Sequence, residues 1–372
     1  MKISRYALAA VVAVAVTGTT QSAQAAYSCS NATYGSSYST CSTDNTSNAN
    51  ATTVTSVAVL SAAATQTAGI ISNRVAQAIG GTDGSFHVAA NGFSASTGKA
   101  AGDGSDDVGV WVSGSWTGAE DDNDDTAFDG TTRTGMAGID YRVSDMTLIG
   151  LSAGYEKSDF DTAYNGFGGV DGSLEGSGWT VAPYAAFDMG SMTTTLSVGY
   201  SMIDYDTVRY DPNTGNTITG STDANRYFVN AGVGGSHDLA EHVRLRTNAS
   251  VFYVSENKDD FTEDESNGST IAQDGETTHL GRAALDFRLG YMFEGIEPYA
   301  LAGVEYDFSK SDVPLAAGQT ESGTEDDFGA KFGGGVVLNL GDNVTGGLEA
   351  YTSQFRSDYD EVTGTATLRV RF

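Results

Sequence analysis

The chain has little of what usually holds a soluble domain together. Of its 372 residues, 2 are cysteine and 4 are proline. Two cysteines exclude a disulfide-dense scaffold. No histidine lies near them, so a thiol metal site would lack its other ligands. The four histidines are His87, His237, His242 and His279. None belongs to a serine elbow, a paired-histidine metal motif or a phosphate loop. No catalytic residue, metal or cofactor is therefore expected, and the chain reads as no enzyme. No stretch reaches eighteen consecutive apolar residues, which excludes a membrane-spanning helix. Basic residues are scarce: 19 Lys and Arg face 48 Asp and Glu, for a formal charge of −29. That balance excludes a nucleic-acid partner.

The N-terminus shows what is present instead. Lys2 and Arg5 precede an apolar run from Ala7 to Val16, and Ala23-Gln24-Ala25 follows as a small-x-small cleavage site. This order predicts a secretory signal peptide over 1–25, with Ala23 and Ala25 flanking the cleavage point. Losing Lys2 and Arg5 takes the charge from −29 to −31. The chain is then exported into an oxidising compartment, where Cys29 and Cys41 are expected to form one short-range disulfide. Residues 26–52 are rich in Ser, Thr and Asn, and they lack the hydrophobic period needed to build a core.

Residues 53–80 change character. Leu60, Ala64, Ile71, Val75 and Ile79 recur at helical spacing. The helix would be about 40 Å long at 1.5 Å per residue. It has few charges, and two readings stand: a helix inside a pore, or an amphipathic surface helix. Residues 81–107 are Gly-, Ser- and Asp-rich and read as a flexible linker.

From 108 to 372 the pattern is strand, turn, strand, loop. Twelve strands are predicted: 108–116, 133–143, 146–157, 174–187, 191–204, 224–237, 242–255, 278–292, 296–308, 326–339, 343–355 and 360–372. Period-two alternation is clear in 278–292, where Ala283, Leu285, Phe287, Leu289 and Tyr291 oppose Arg282, Ala284, Asp286, Arg288 and Gly290. Tight turns at 144–145, 188–190, 239–241, 293–295 and 341–342 alternate with long loops at 117–132, 158–173, 205–223, 256–277 and 309–325. Short turns on one side and long loops on the other predict an all-β, 12-stranded antiparallel transmembrane barrel in a bacterial outer membrane. The strands, roughly ten to fifteen residues, exceed the soluble mode of about five or six. An even count puts both barrel ends on the periplasmic side and the long loops outside. Tyr141, Tyr155, Tyr200, Phe252, Tyr253, Tyr291, Phe293 and Tyr306 lie near strand ends, where aromatic girdles belong.

Charge follows the same division. The loops 117–131 and 256–277 are acidic, with Glu256 and Glu263 counted in the second. EDDNDD lacks the spacing of a calcium loop. The loops would meet divalent cations that bridge lipopolysaccharide phosphates, or would only keep themselves solvated. The lumen is predicted to collect Arg142, Arg226, Arg244, Arg246, Arg282, Arg288, Lys331, Arg369 and Arg371, with Asp140, Asp286, Glu305 and Glu349. A charge facing lipid would cost about 2–4 kcal/mol at the midplane. These residues either brace the barrel as ion pairs, or hold the helix or favour anions in transit.

The signal peptide, the pre-barrel helix, twelve strands and the terminal Phe372 together resemble the autotransporter β-domain, the translocator of type V secretion. GMAGIDYRVSDMTLIGLSAGYEKSDFD (135–161) looks like the second and third strands of that domain, and GWTVAPYAAFDMG (178–190) like the next. The resemblance implies a helix threaded through the barrel and an N-terminal passenger carried outward. It also implies that Phe372 is the assembly signal read by the outer-membrane assembly machinery. Other expected partners are outer-membrane lipid and lipopolysaccharide, and the barrel is expected to be monomeric. Typical passengers are long β-helices, whereas residues 26–51 hold no repeat. Some members cleave the passenger within the pore; Asn73 lies in the helix here without a recognisable cleavage motif. The expected function is export or display of a short N-terminal segment. A passive channel or structural barrel plugged by its helix is the alternative. A barrel enzyme would need a histidine with Ser or Asp at the rim, and His279 is the candidate.

Overall fold

The computed structural model describes residues 59–63, 66–67, 70–71, 93–98, 108–121, 127–144, 146–164, 170–190, 192–211, 215–311, 327–339, 344–356 and 359–371. The signal peptide, Cys29, Cys41, Asn73 and Phe372 lie outside the described residues, as does most of 53–107.

A short strand, β1 (Phe93–Gly98), comes first. The wall then runs through β2 (Val108–Asp121), β3 (Phe128–Ser144), β4 (Thr147–Tyr164), β5 (Val170–Asp188), β6 (Met192–Asp211), β7 (Asn216–Ala240) and β8 (Val243–Lys258). A hairpin of β9 (Phe261–Glu265) and β10 (Thr270–Gln273) pairs with β7 beyond the wall. The wall resumes with β11 (Glu276–Tyr291), β12 (Ile296–Lys310), β13 (Phe328–Asn339), β14 (Val344–Arg356) and β15 (Tyr359–Arg371). Each wall strand pairs antiparallel with the next, β8 pairs with β11, and β15 returns to β2. The result is a closed 12-stranded antiparallel barrel, and closure removes the unpaired edges that a bilayer cannot tolerate.

Alternation along each strand assigns the two faces. In β4, Leu151, Ala153 and Tyr155 are exposed while Ser152, Gly154 and Glu156 are buried. The exposed set around the wall is apolar: Ile139, Leu151, Val181, Leu196, Val251, Phe287 and Leu289 all stand open. A soluble protein would not expose so continuous an apolar band, so lipid is its solvent.

The inward face explains much of the glycine. Inward aromatics lie directly across from a glycine on the neighbouring strand: Trp111 with Gly138, Tyr184 with Gly150, Tyr205 with Gly176, Phe228 with Gly199 and Tyr299 with Gly335. A Cβ on Gly150 would sit 2.1 Å from Tyr184 Cζ, and one on Gly199 2.0 Å from Phe228 Cε1. The ring lies over the bare backbone, and any larger residue there would displace it.

The seam differs from the other strand pairs. Tyr359–Gly364 pair with Asp121–Trp116 near the loops. Toward the turns, β1 lies between β2 and β15, antiparallel to the first and parallel to the second. Residues 81–107, expected to be a flexible linker, therefore contribute a strand.

Other expectations need correction. The strands run well past the expected bounds, so the long loops at 117–132, 158–173 and 205–223 are largely extensions of the wall. β6 reaches Asp211 and β7 starts at Asn216, within what reads as one 205–223 loop. Above the apolar band both faces are polar, and alternation no longer marks a strand. Phe252 is buried and faces the lumen, whereas its neighbour Tyr253 is exposed, so Phe252 is no girdle residue. Tyr141, Tyr155, Tyr200, Tyr291, Phe293 and Tyr306 are exposed as expected.

Candidate functional site

The lumen is the candidate site, and its first occupant is the helix. Its described residues, 59–63, 66–67 and 70–71, are all buried, polar and apolar alike. An amphipathic surface helix would leave one face open. Burial on every side places this helix inside the barrel. Val59 packs in one cluster with Ala119, Phe128, Phe160 and Tyr359, which lie toward the loops. Ile70 and Ile71 belong to a second cluster, which reaches Leu148 and Ala186 near the turns. The helix therefore runs from the loop end toward the turn end.

Gln66 fixes its depth. Its Nε2 donates to Thr117 Oγ1 at 2.7 Å and to the Thr132 carbonyl at 3.2 Å. Ser115 Oγ donates to Gln66 Oε1 at 2.6 Å. One amide thereby ties the helix to β2 and β3. Below it, Trp111 Nε1 donates to Tyr184 Oη at 2.8 Å, and Tyr184 donates to Asp140 at 3.1 Å.

The lumen is lopsided. The apolar residues that cluster with the helix come from β2 to β8, with Leu280 of β11 and Tyr359 of β15. The opposite wall, β11 to β14, carries charge. Arg282 donates to Asp307 at 2.6 and 3.0 Å. Lys331 reaches Glu305 at 2.7 Å, and Arg356 reaches Asp307 at 2.9 Å. Arg288 donates to Glu349 at 3.2 Å, and Tyr299 Oη donates to the same carboxylate at 2.5 Å. Arg246 forks onto Glu297 at 2.5 and 3.0 Å. Asp286 is buried, and its carboxylate lies over Gly303, where a Cβ would come within 2.4 Å of Oδ1. Arg244 lies at the turn-end rim and donates to Asp238 at 2.7 Å. Arg142 is half-buried in β3. Arg369 and Arg371 lie on β15, where only the backbone is described.

Gln66 of the helix bonds Ser115, Thr117 and the Thr132 carbonyl, while the lumen bases contact acids. The bracing reading of the charges therefore accounts for the contacts. In low dielectric a paired and hydrogen-bonded charge is tolerated, whereas a single one is costly.

Sequence reasoning left Glu156, Glu297, Asp307 and Arg356 out of the lumen set, and two acids that it counted as loop are buried. Glu256, counted in an acidic loop, is buried in β8. Arg226 Nε donates to it at 2.8 Å and Arg226 Nη1 donates to Glu156 at 2.6 Å. Tyr205 Oη donates to Glu256 at 3.1 Å and accepts from Arg226 at 3.2 Å. Glu263, counted in the same loop, is buried in β9 and takes Arg209 at 2.9 and 2.5 Å. This pair fastens the β9–β10 hairpin to the wall. No sequence signal gives these partners, because each depends on register between strands up to 70 residues apart.

His279 lies beside Ser311 at the loop-end rim, with Nδ1 2.9 Å from Ser311 Oγ. The same Oγ accepts the His279 backbone N–H at 2.7 Å, and Ser311 N–H donates to the His279 carbonyl at 3.0 Å. The contact is a clamp between the ends of β11 and β12.

A family model described as the autotransporter beta-domain matches residues 110–370. This chain belongs to that family. The barrel is thus an autotransporter translocator of the bacterial outer membrane, and its helix-filled lumen is the translocator's pore. The translocator domain of the autotransporter NalP from Neisseria meningitidis is similar in fold, with a TM-score of 0.60 at 15% identity, over 84% of this chain and 99% of that one. The beta domain of the Bordetella autotransporter BrkA has a TM-score of 0.50 at 18% identity, over 71% of this chain and 99% of that one. Among curated proteins, no sequence matches.

Proposed function

We propose that this translocator displays the segment preceding its pore helix on the cell surface, with the loop end outside and both barrel ends in the periplasm. One observation carries the reading: the helix enters the lumen with Val59 among loop-end residues and Ile71 in the cluster that reaches the turns. The first described residue of the helix, Val59, therefore sits at the loop end. Tight turns such as the one at Gly190 and the one at Gly295, both with positive φ, suit the periplasmic face. The acidic loops suit the side where divalent cations bridge lipid phosphates. The reading includes no catalytic role: the His279–Ser311 contact is tied by main-chain bonds, and no third member is found among the described residues. The partners in this reading are outer-membrane lipid, lipopolysaccharide and the assembly machinery, with a single chain per barrel.

An epitope inserted after Asn45 tests it. Antibody labelling of intact cells that disappears on protease shaving is the expected result. Labelling that needs permeabilisation would leave the segment in the periplasm and favour a plugged structural barrel.

A further inference from the structure

We propose that Arg133 and Lys157 form a binding site on the outer wall for a phosphorylated glycolipid of the loop-end leaflet. The chain keeps its bases inside. Among basic side chains whose exposure is described, Arg133 and Lys157 alone are exposed; the others are buried or half-buried. These two stand directly opposite each other in the β3–β4 register. Like charges in that position destabilise a sheet. A site that binds a dianion turns the same arrangement to use.

Their neutralisation within the chain is slight. Lys157 Nζ lies 3.8 Å from Glu175, and both side chains are 55% exposed. Arg133 has no ion pair among the described residues.

The surroundings suit an amphiphile. The cross-strand row through the pair reads Gly364, Trp116, Arg133, Lys157. The row toward the turns reads Gly114, Gly135, Tyr155, Trp179. Three of these positions are glycine, and they open a hollow of about 540 Å³ between Trp116, Arg133, Tyr155 and Lys157. A Cβ at Gly135 or Gly364 would meet nothing within 4 Å. Tyr155 and Trp179 pack with ring centres 5.1 Å apart and planes tilted by 59°, at the interface level where girdle aromatics meet lipid. The row toward the loops carries Asp159, Glu175 and Asp206 in direct register. Acyl chain would then lie against the rings and bare backbone. A phosphomonoester, carrying about −1.5 to −2 charges, would lie across the two bases. Sugar hydroxyls would donate to the carboxylates above. That last row selects a phosphorylated sugar over a simple phosphorylated glycerolipid.

The full chain in nanodiscs tests this with three probes: bis-phosphorylated lipid A, the same lipid dephosphorylated, and phosphatidic acid. Retention read by native mass spectrometry should favour phosphorylated lipid A over the dephosphorylated form by about tenfold or more, since the phosphate would gain charge-assisted bonds to both bases. The R133Q/K157Q variant should lose that preference while still migrating as a folded barrel on unheated gels. If the double variant fails to fold, the single variants R133Q and K157Q decide, and an unchanged preference in both overturns the site. Equal retention of both lipid A forms by the native chain, or an unchanged preference in a folded R133Q/K157Q variant, overturns it. Phosphatidic acid bound as tightly as lipid A overturns the glycolipid assignment.

Discussion

Replacing Arg226 by Met should be among the most damaging single changes in the wall. Its guanidinium is buried between Glu156 and Glu256, both also buried, and it bonds the Tyr205 hydroxyl as well. Methionine fills similar space, so packing changes little. The loss is electrostatic: two carboxylates would face each other without their cation. Breaking a buried pair in this way costs about 3–5 kcal/mol. Urea unfolding of the refolded barrel, followed by tryptophan fluorescence and by the gel shift of folded barrels, gives the difference in midpoint. The decisive control removes the charges together. In E156Q/R226M/E256Q no ion is left without a partner, and stability should return to within about 1–2 kcal/mol of the native chain. The reasoning is refuted if R226M unfolds with the native midpoint, or if the triple variant is no more stable than the single one.

Three further outcomes follow from the same geometry. G150A should lower stability by about 1–3 kcal/mol through the clash with the Tyr184 ring, and Y184A should suppress that penalty in the double variant, as a thermodynamic cycle by urea titration would show. Q66A removes the amide that ties the helix to Ser115, Thr117 and Thr132, so planar-bilayer recordings should show more frequent open events than the native chain, and unchanged traces would mean that apolar packing alone holds the helix. E263Q weakens the buried Arg209 contact, so the 261–273 hairpin should become cleavable by external protease while the barrel stays folded on unheated gels.

The sequence made the wall legible wherever one face meets lipid. Leu285, Phe287 and Leu289 alternate with Asp286 and Arg288 because the two faces have opposite solvents. The signal fades where strands project beyond the apolar band. Asp204, Asp206, Thr207 and Arg209 carry no contrast between faces, so the extension to Asp211 reads as loop. Lumen membership of Arg246, Arg282, Lys331, Glu305 and Glu349 follows from parity alone. Their pairings do not follow, since a partner is fixed by register and by reach across the lumen. Glu256 shows the limit: the acids that follow it in sequence make it look like loop, while Arg226 and Tyr205 hold it inside. The helix was visible as a stripe, but a stripe cannot separate a pore from a surface. Burial of Ser61, Gln66 and Thr67 together with Leu60 and Ile71 separates them.

The central claim is that the helix occupies the pore, and proximity of Gln66 to the inner wall tests it most directly. In a background with Cys29 and Cys41 replaced by serine, Q66C would be paired with T117C, which faces the lumen, and separately with W116C, which faces lipid. A short bis-thiol linker applied to the barrel in native outer membranes should join Q66C to T117C and leave Q66C and W116C unlinked. Linkage to neither position, or to both equally, would contradict a helix held inside the barrel.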